Sequence, residues 1–165
     1  MHAHRPIVIV PQCPENESWG NFSSEDISLQ ATPTQAMKLL IELINQAIST
    51  LPIDTSRIYI TGLSMGGFGT FDAISRHPDL FAAAVPVCGG GDSSIASSFS
   101  NVPIWIFHGA LDEAVHPYFA NTMYEALRKA GANPGFTMYP ETGHFSWIAA
   151  YSDLNMMDWL FRQKK

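Results

Sequence analysis

The stretch Arg57-Ile58-Tyr59-Ile60-Thr61-Gly62-Leu63-Ser64-Met65-Gly66-Gly67 decides the fold. Ile58 to Ile60 is an unbroken β-branched and aromatic run, the pattern of a strand covered on both faces. Gly62-x-Ser64-x-Gly66 follows at once, and then a helix that runs to about Arg76 and stops before Pro78. A strand that turns directly into a helix forces the central residue into a strained conformation, with flanking glycines where side chains would clash. Ser64 is thereby lifted above the sheet at a helix N-terminus. The backbone N–H of Met65 is then placed to meet an anion forming on a carbonyl oxygen, half of an oxyanion hole. Taken alone the pattern also fits a plain tight turn, so its surroundings carry the argument.

Outward from this point the chain alternates. Ile7-Val8-Ile9-Val10 predicts a first buried strand that Pro11 stops, and a polar, turn-rich loop with Trp19 and Phe22 follows from Pro14 to Thr32. Thr32-Pro33 predicts a helix start, with Met37, Leu40, Ile41, Ile44 and Ile48 as its inward stripe. Beyond the central stretch come strands at Ala83 to Val87, Ile104 to Phe107 and Phe136 to Tyr139, a helix from Pro117 to Ala130, and a last helix from Tyr151 to Arg162. Strands alternating with helices predict an α/β fold, a mostly parallel sheet of about five strands with helices on both faces. Ligand sites of such sheets lie beyond the carboxyl ends of the strands.

The 165 residues suit one domain spanning 1–165, with 46% hydrophobic and 15% charged residues, enough to build a core. A formal net charge of −6 argues against nucleic acid as a partner. Cys13 and Cys88 are too few for a disulfide framework and lack metal or redox spacing, which predicts free, partly buried thiols. The apolar run after the N-terminus is too short for a secretory signal, and none is long enough for a membrane span. The expectation is a soluble, cytoplasmic protein.

A serine hydroxyl needs a base to take its proton. His144, in Gly143-His144-Phe145, lies just past the Phe136–Tyr139 strand, and Asp112, in His108-Gly109-Ala110-Leu111-Asp112, just past the Ile104–Phe107 strand. Both belong on the sheet edge of Ser64. Asp112 follows Ser64 by 48 residues and His144 follows Asp112 by 32, the order Ser, Asp, His. In that arrangement His144 acts as base and then acid, and Asp112 accepts the other ring N–H. Glu113 is the rival for the acid role.

These stretches, with Val10-Pro11-Gln12-Cys13-Pro14, Trp19, His144-Phe145-Ser146-Trp147 and Trp159-Leu160-Phe161, resemble the α/β-hydrolase superfamily, specifically its dienelactone-hydrolase-like carboxylesterase branch near the feruloyl and acetyl-xylan esterases. The resemblance implies hydrolysis of a small-molecule carboxylic ester through an acyl-enzyme on Ser64, without metal or organic cofactor. Read this way, the chain is a serine esterase for short acyl groups, with a feruloyl or acetyl-xylan esterase, a peptidase or a non-catalytic binding module as alternatives. The family usually carries upstream strands and a His-Gly-x-Gly-type loop that completes the oxyanion hole, and this sequence starts too late to contain them. The expected response is that the Ile7–Val10 strand pairs directly with the Ile58 strand, helped by a homodimer. The backbone of Gln12 or Cys13 would then offer the second oxyanion donor. Trp19, Trp147 and His116 are candidates to line the substrate pocket, His116 alternatively capping the Pro117 helix. His108 is expected to pack where its strand ends, Trp105 and Trp159 to lie in the core, and His2 and His4 to form no metal site.

Overall fold

The computed structural model of the chain describes residues 6–165, so the reading of His2 and His4 lies outside the described residues. Among the described residues, four strands form one sheet: β1 (Tyr59–Leu63), β2 (Ala83–Val87), β3 (Trp105–Gly109) and β4 (Gly135–Tyr139). All pairings are parallel and the order is β1-β2-β3-β4. Leu63 lies opposite Val87, Val87 opposite Phe107 and Gly109 opposite Tyr139, so the four carboxyl ends share one edge.

Five α-helices among the described residues surround the sheet: α1 (Gln35–Thr50), α2 (Met65–Arg76), α3 (Tyr118–Lys129), α4 (Trp147–Ser152) and α5 (Leu154–Arg162). A sequential strand order with right-handed crossovers puts the connecting helices on one face. Met37 of α1, Phe71 and Ile74 of α2 and Met123 and Leu127 of α3 accordingly pack with Ala84, Ile104 and Ile106 in one core layer. Alternate strand residues, Ala83, Val85, Val87 and Phe107, point the other way and meet Ala150 of α4 and Met156 and Leu160 of α5. Two covered faces explain why the strands read as continuous apolar runs. Trp105 and Trp159 meet edge to face at 5.5 Å within this second layer, as expected of core residues.

Three local expectations are corrected. First, the Ile7–Val10 run forms no strand. Its residues are 40–86% exposed and no partner among the described residues pairs with it. Prolines 6 and 11 bracket the run without N–H donors, and four residues alone cannot offset the loss of backbone freedom. The sheet therefore has four strands, and β1 is an edge among the described residues. Second, α1 is capped by Thr34 and not Thr32: the Thr34 hydroxyl accepts the Met37 N–H at 3.0 Å and donates to the Trp19 carbonyl at 3.2 Å. Third, the last helix is two helices. Asp153 takes an extended conformation and its carboxylate accepts the Asn155 N–H at 2.8 Å, which stops α4 and caps α5.

The polar loop before α1 is held by two buried carboxylates. Asp72 of α2 accepts the Asn21 N–H at 2.9 Å and pairs with Arg76 at 2.6 Å, and Arg76 also donates to the carbonyls of Gln30 and Ala31. Asp92 accepts the Leu29 N–H at 2.8 Å and caps the 3-10 helix Ser93–Phe99.

Candidate active site

Ser64 joins β1 to α2 with φ 55° and ψ −115°, a left-handed backbone that costs a non-glycine residue about 1–3 kcal/mol. Its N–H donates to the Val87 carbonyl at 2.9 Å, which extends the β1–β2 ladder by one bond and fixes the turn to the sheet. A Cβ at Gly62 would stand 2.3 Å from the Gly66 carbonyl oxygen, and one at Gly67 would stand 2.6 Å from the Val87 oxygen. Gly66 faces open space. The glycine that the crossing requires besides Gly62 is therefore Gly67, not the second glycine of the motif.

Asp112 hangs from the loop after β3, and His144 begins a one-turn 3-10 segment, His144–Ser146, after β4. The two loops are bonded to each other: Ala110 N–H donates to Tyr139 O at 2.9 Å and Leu111 N–H to Thr142 O at 3.0 Å. Across this contact the His144 Nδ1 lies 2.8 Å from Asp112 Oδ2, and His144 Nε2 lies 3.0 Å from Ser64 Oγ. The three side chains expected from the sequence thus meet in the expected order. Glu113 is exposed, whereas the Asp112 side chain is fully buried.

The electrostatics follow from that burial. Burial pushes the Asp112 carboxyl up, but the N–H groups of Val115 and Ala114 and the His144 ring outweigh it and hold it below the ordinary carboxylate range. An ionised Asp112 keeps the His144 Nδ1 protonated and leaves Nε2 free to accept the Ser64 proton. The Met65 N–H heads α2, where the first N–H groups of a helix have no intrahelical acceptor. These parts can perform nucleophilic acyl transfer.

Sequence reasoning read Cys88 as a free, partly buried thiol and His108 as packing at the end of its strand, and gave neither a part in the site. Cys88 follows β2 directly with φ 48°, and its buried thiol lies 2.9 Å from the Ser146 hydroxyl and 3.6 Å from the His144 carbonyl oxygen, to which it donates. Burial pushes this thiol's pKa up, so it stays protonated and ties down the histidine loop. A positive φ at a non-glycine residue leaves no mark in composition or periodicity. His108 sits fully buried beside Asp112, at 3.3 Å.

The pocket candidates fare differently. His116 Nδ1 accepts the Tyr118 N–H at 3.1 Å, so it caps α3. Trp19 packs its Cβ over Gly69 of α2, and Trp147 packs against the second core layer at the start of α4. Gln12 is exposed and its amide bonds the Cys13 carbonyl at 3.3 Å. The strand that was to carry Gln12 and Cys13 alongside Ser64 is absent from the sheet. Two surface concavities, one beside Val102, Pro103 and Pro134 and one beside Asp79, Phe81 and Lys165, lie at the amino ends of the strands, opposite the triad. They gather no comparable set of hydrogen-bonded titratable groups.

A parallel sheet with Ser64, Asp112 and His144 at its carboxyl edge, in that chain order, is the architecture of an α/β hydrolase. Residues 23–153 match the model of the Dienelactone hydrolase family, and the chain belongs to that family. The crystal structure of a thermostable esterase superimposes with a TM-score of 0.86 at 36% identity, covering 94% of this chain and 43% of the other. Poly(3-hydroxyalkanoate) depolymerase C of Paucimonas lemoignei is 32% identical over 93 residues, 54% of this chain and 22% of that protein. The bifunctional acetylxylan esterase/xylanase XynS20E of Neocallimastix patriciarum is 31% identical over 83 residues, 50% of this chain and 12% of that protein. The chain spans less than half the length of each. No helix among the described residues is long and apolar enough to cross a membrane.

Proposed function

We propose that the protein is a serine carboxylesterase that hydrolyses short-chain acyl esters through an acyl-enzyme on Ser64. The observation that carries this reading is the continuous chain from Ser64 Oγ to His144 Nε2 (3.0 Å) and from His144 Nδ1 to Asp112 Oδ2 (2.8 Å), built at a strained strand–helix turn. His144 takes the hydroxyl proton as Ser64 attacks the ester carbonyl, then returns it to the leaving alcohol. Water, activated by the same Nε2, releases the acid and restores Ser64. The Met65 N–H stabilises the oxyanion in both steps.

The relatives include an acetylxylan esterase, which favours an acetylated carbohydrate as a second reading of the substrate. Hydrolysis of p-nitrophenyl esters across acyl lengths, with Ser64→Ala as the comparison, tests the proposal. A rate above the Ser64→Ala background that is highest for the shortest acyl groups supports it. No Ser64-dependent rate on any ester refutes it. The edge position of β1 among the described residues supports a homodimer, and sedimentation velocity that shows only monomer at every loading concentration refutes that part.

A further inference from the structure

The acid of the triad is bonded more completely than its role as partner to one histidine requires. Asp112 Oδ1 accepts the N–H groups of Ala114 at 3.0 Å and Val115 at 2.9 Å. Oδ2 faces His144 Nδ1 at 2.8 Å and His108 Nε2 at 3.3 Å, and the same His108 Nε2 lies 2.8 Å from the Val115 carbonyl oxygen. A carbonyl and an ionised carboxylate can only accept, so Nε2 carries the His108 proton. A ring results, hydrogen-bonded from the Val115 N–H to Asp112 Oδ1 and from the His108 Nε2–H to the Val115 carbonyl, and closed by the 3.3 Å contact of His108 Nε2 with Asp112 Oδ2.

We propose that His108 is a positioning residue for the catalytic acid: its Nε2–H, shared between Val115 O and Asp112 Oδ2, locks the carboxylate rotation so that Oδ2 stays aimed at His144. The proposal rests on the triad reading of Ser64, His144 and Asp112. Two observations fix the tautomer the ring needs. His108 is fully buried, and its Nδ1 has no hydrogen-bond partner among the described residues, so a proton there would be buried without an acceptor. Burial also lowers the pKa of His108, so the ring stays neutral while His144 changes charge during turnover.

Cys88, His108 and Asp112 offer atoms within 4.8 Å of one another, a spacing that also suits a cation. The bonding favours the cage. N–H groups of Ala114, Val115 and His144 occupy three of the roughly four acceptor sites of the carboxylate and His108 faces the fourth, while the Cys88 thiol is protonated and engaged with Ser146 and His144.

The test compares His108→Leu, which removes the donor, with His108→Gln, whose amide N–H reaches the position of Nε2. His108→Leu should lower kcat by about tenfold or more, the loss of one hydrogen bond to a charged group, with KM changed by less than about twofold, and His108→Gln should restore most of it. A second readout needs no turnover: in the Ser64→Ala background the low-field proton resonance of His144 Nδ1–H should shift or broaden with Leu and return with Gln. If His108→Leu does not fold, His108→Asn, too short to span to Val115 O, takes its place against Gln. A folded Leu or Asn variant with unchanged kcat and an unmoved His144 resonance overturns the role of His108, as does a loss that Gln leaves unrestored. Hydrolysis that survives Ser64→Ala instead overturns the triad reading, and with it this role.

Discussion

Substitution of Gly109 by alanine separates what the sheet does from what the triad does. Gly109 closes β3, three residues before Asp112, and its α-carbon faces the histidine loop. An added Cβ would stand 2.3 Å from the carbonyl oxygens of both Thr142 and Gly143, where ordinary contact begins at 3.4 Å. Both obstacles are backbone, so no side chain can rotate away, and the two loops must part by about 1 Å. The side-chain bond between them that serves the triad is His144 Nδ1 to Asp112 Oδ2, now 2.8 Å, and a displacement of that size takes it outside hydrogen-bond range. A misplacement of about 1 Å in a catalytic group costs on the order of a hundredfold in rate. Ester hydrolysis by Gly109→Ala should therefore fall by about that factor in kcat/KM, beside circular dichroism that still reports the α/β fold. A Gly109→Ala enzyme within about twofold of wild type would show that the loops yield without moving the acid, and the reasoning from loop contact to catalysis would fail.

Three further outcomes follow from the same structure. Gly62→Ala, blocked at 2.3 Å by the Gly66 carbonyl, should destabilise by about 1–3 kcal/mol or more in urea unfolding, whereas Gly66→Ala, with nothing within 4 Å, should be neutral or gain up to about 1 kcal/mol; the reverse ranking contradicts the reading of the turn. Asp72→Ala strands the Asn21 N–H and the nearly buried Arg76, and should cost about 3–5 kcal/mol; a loss below about 1 kcal/mol would mean the loop is not held there. His108 stays neutral in the fold, while the unfolded chain takes up a proton below its ordinary pKa of 6.5, so the unfolded state binds more protons as pH falls. Stability should then drop below pH 6.5 by up to about 1.4 kcal/mol per pH unit, with the slope reduced in His108→Gln. The Asp112 contribution is intact above 3.8 and is lost only as pH falls through its depressed value.

The parts of the fold that were legible in the sequence are those that local chemistry decides. Ala83 to Val87 reads as a strand because both its faces are covered, and Ser64, Asp112 and His144 each follow a strand closely enough to be placed at its carboxyl end. Ile7 to Val10 carries the same β-branched signal, yet composition cannot say whether a partner strand exists, and among the described residues it stays exposed. Asp153 breaks the last helix by capping it, a competition between side chain and backbone that the apolar stripe on either side hides. His108 reads as a residue at the end of a strand, and its contact with the acid depends on the Val115 carbonyl returning seven residues later, which spacing does not encode.

The central claim is a covalent one, so the most direct test weighs the protein during turnover. Enzyme quenched in acid while hydrolysing p-nitrophenyl acetate should carry the mass of one acetyl group, located by peptide mapping on Ser64 and absent from Ser64→Ala. An acetyl group found elsewhere, or steady hydrolysis by the Ser64→Ala protein, would contradict the account.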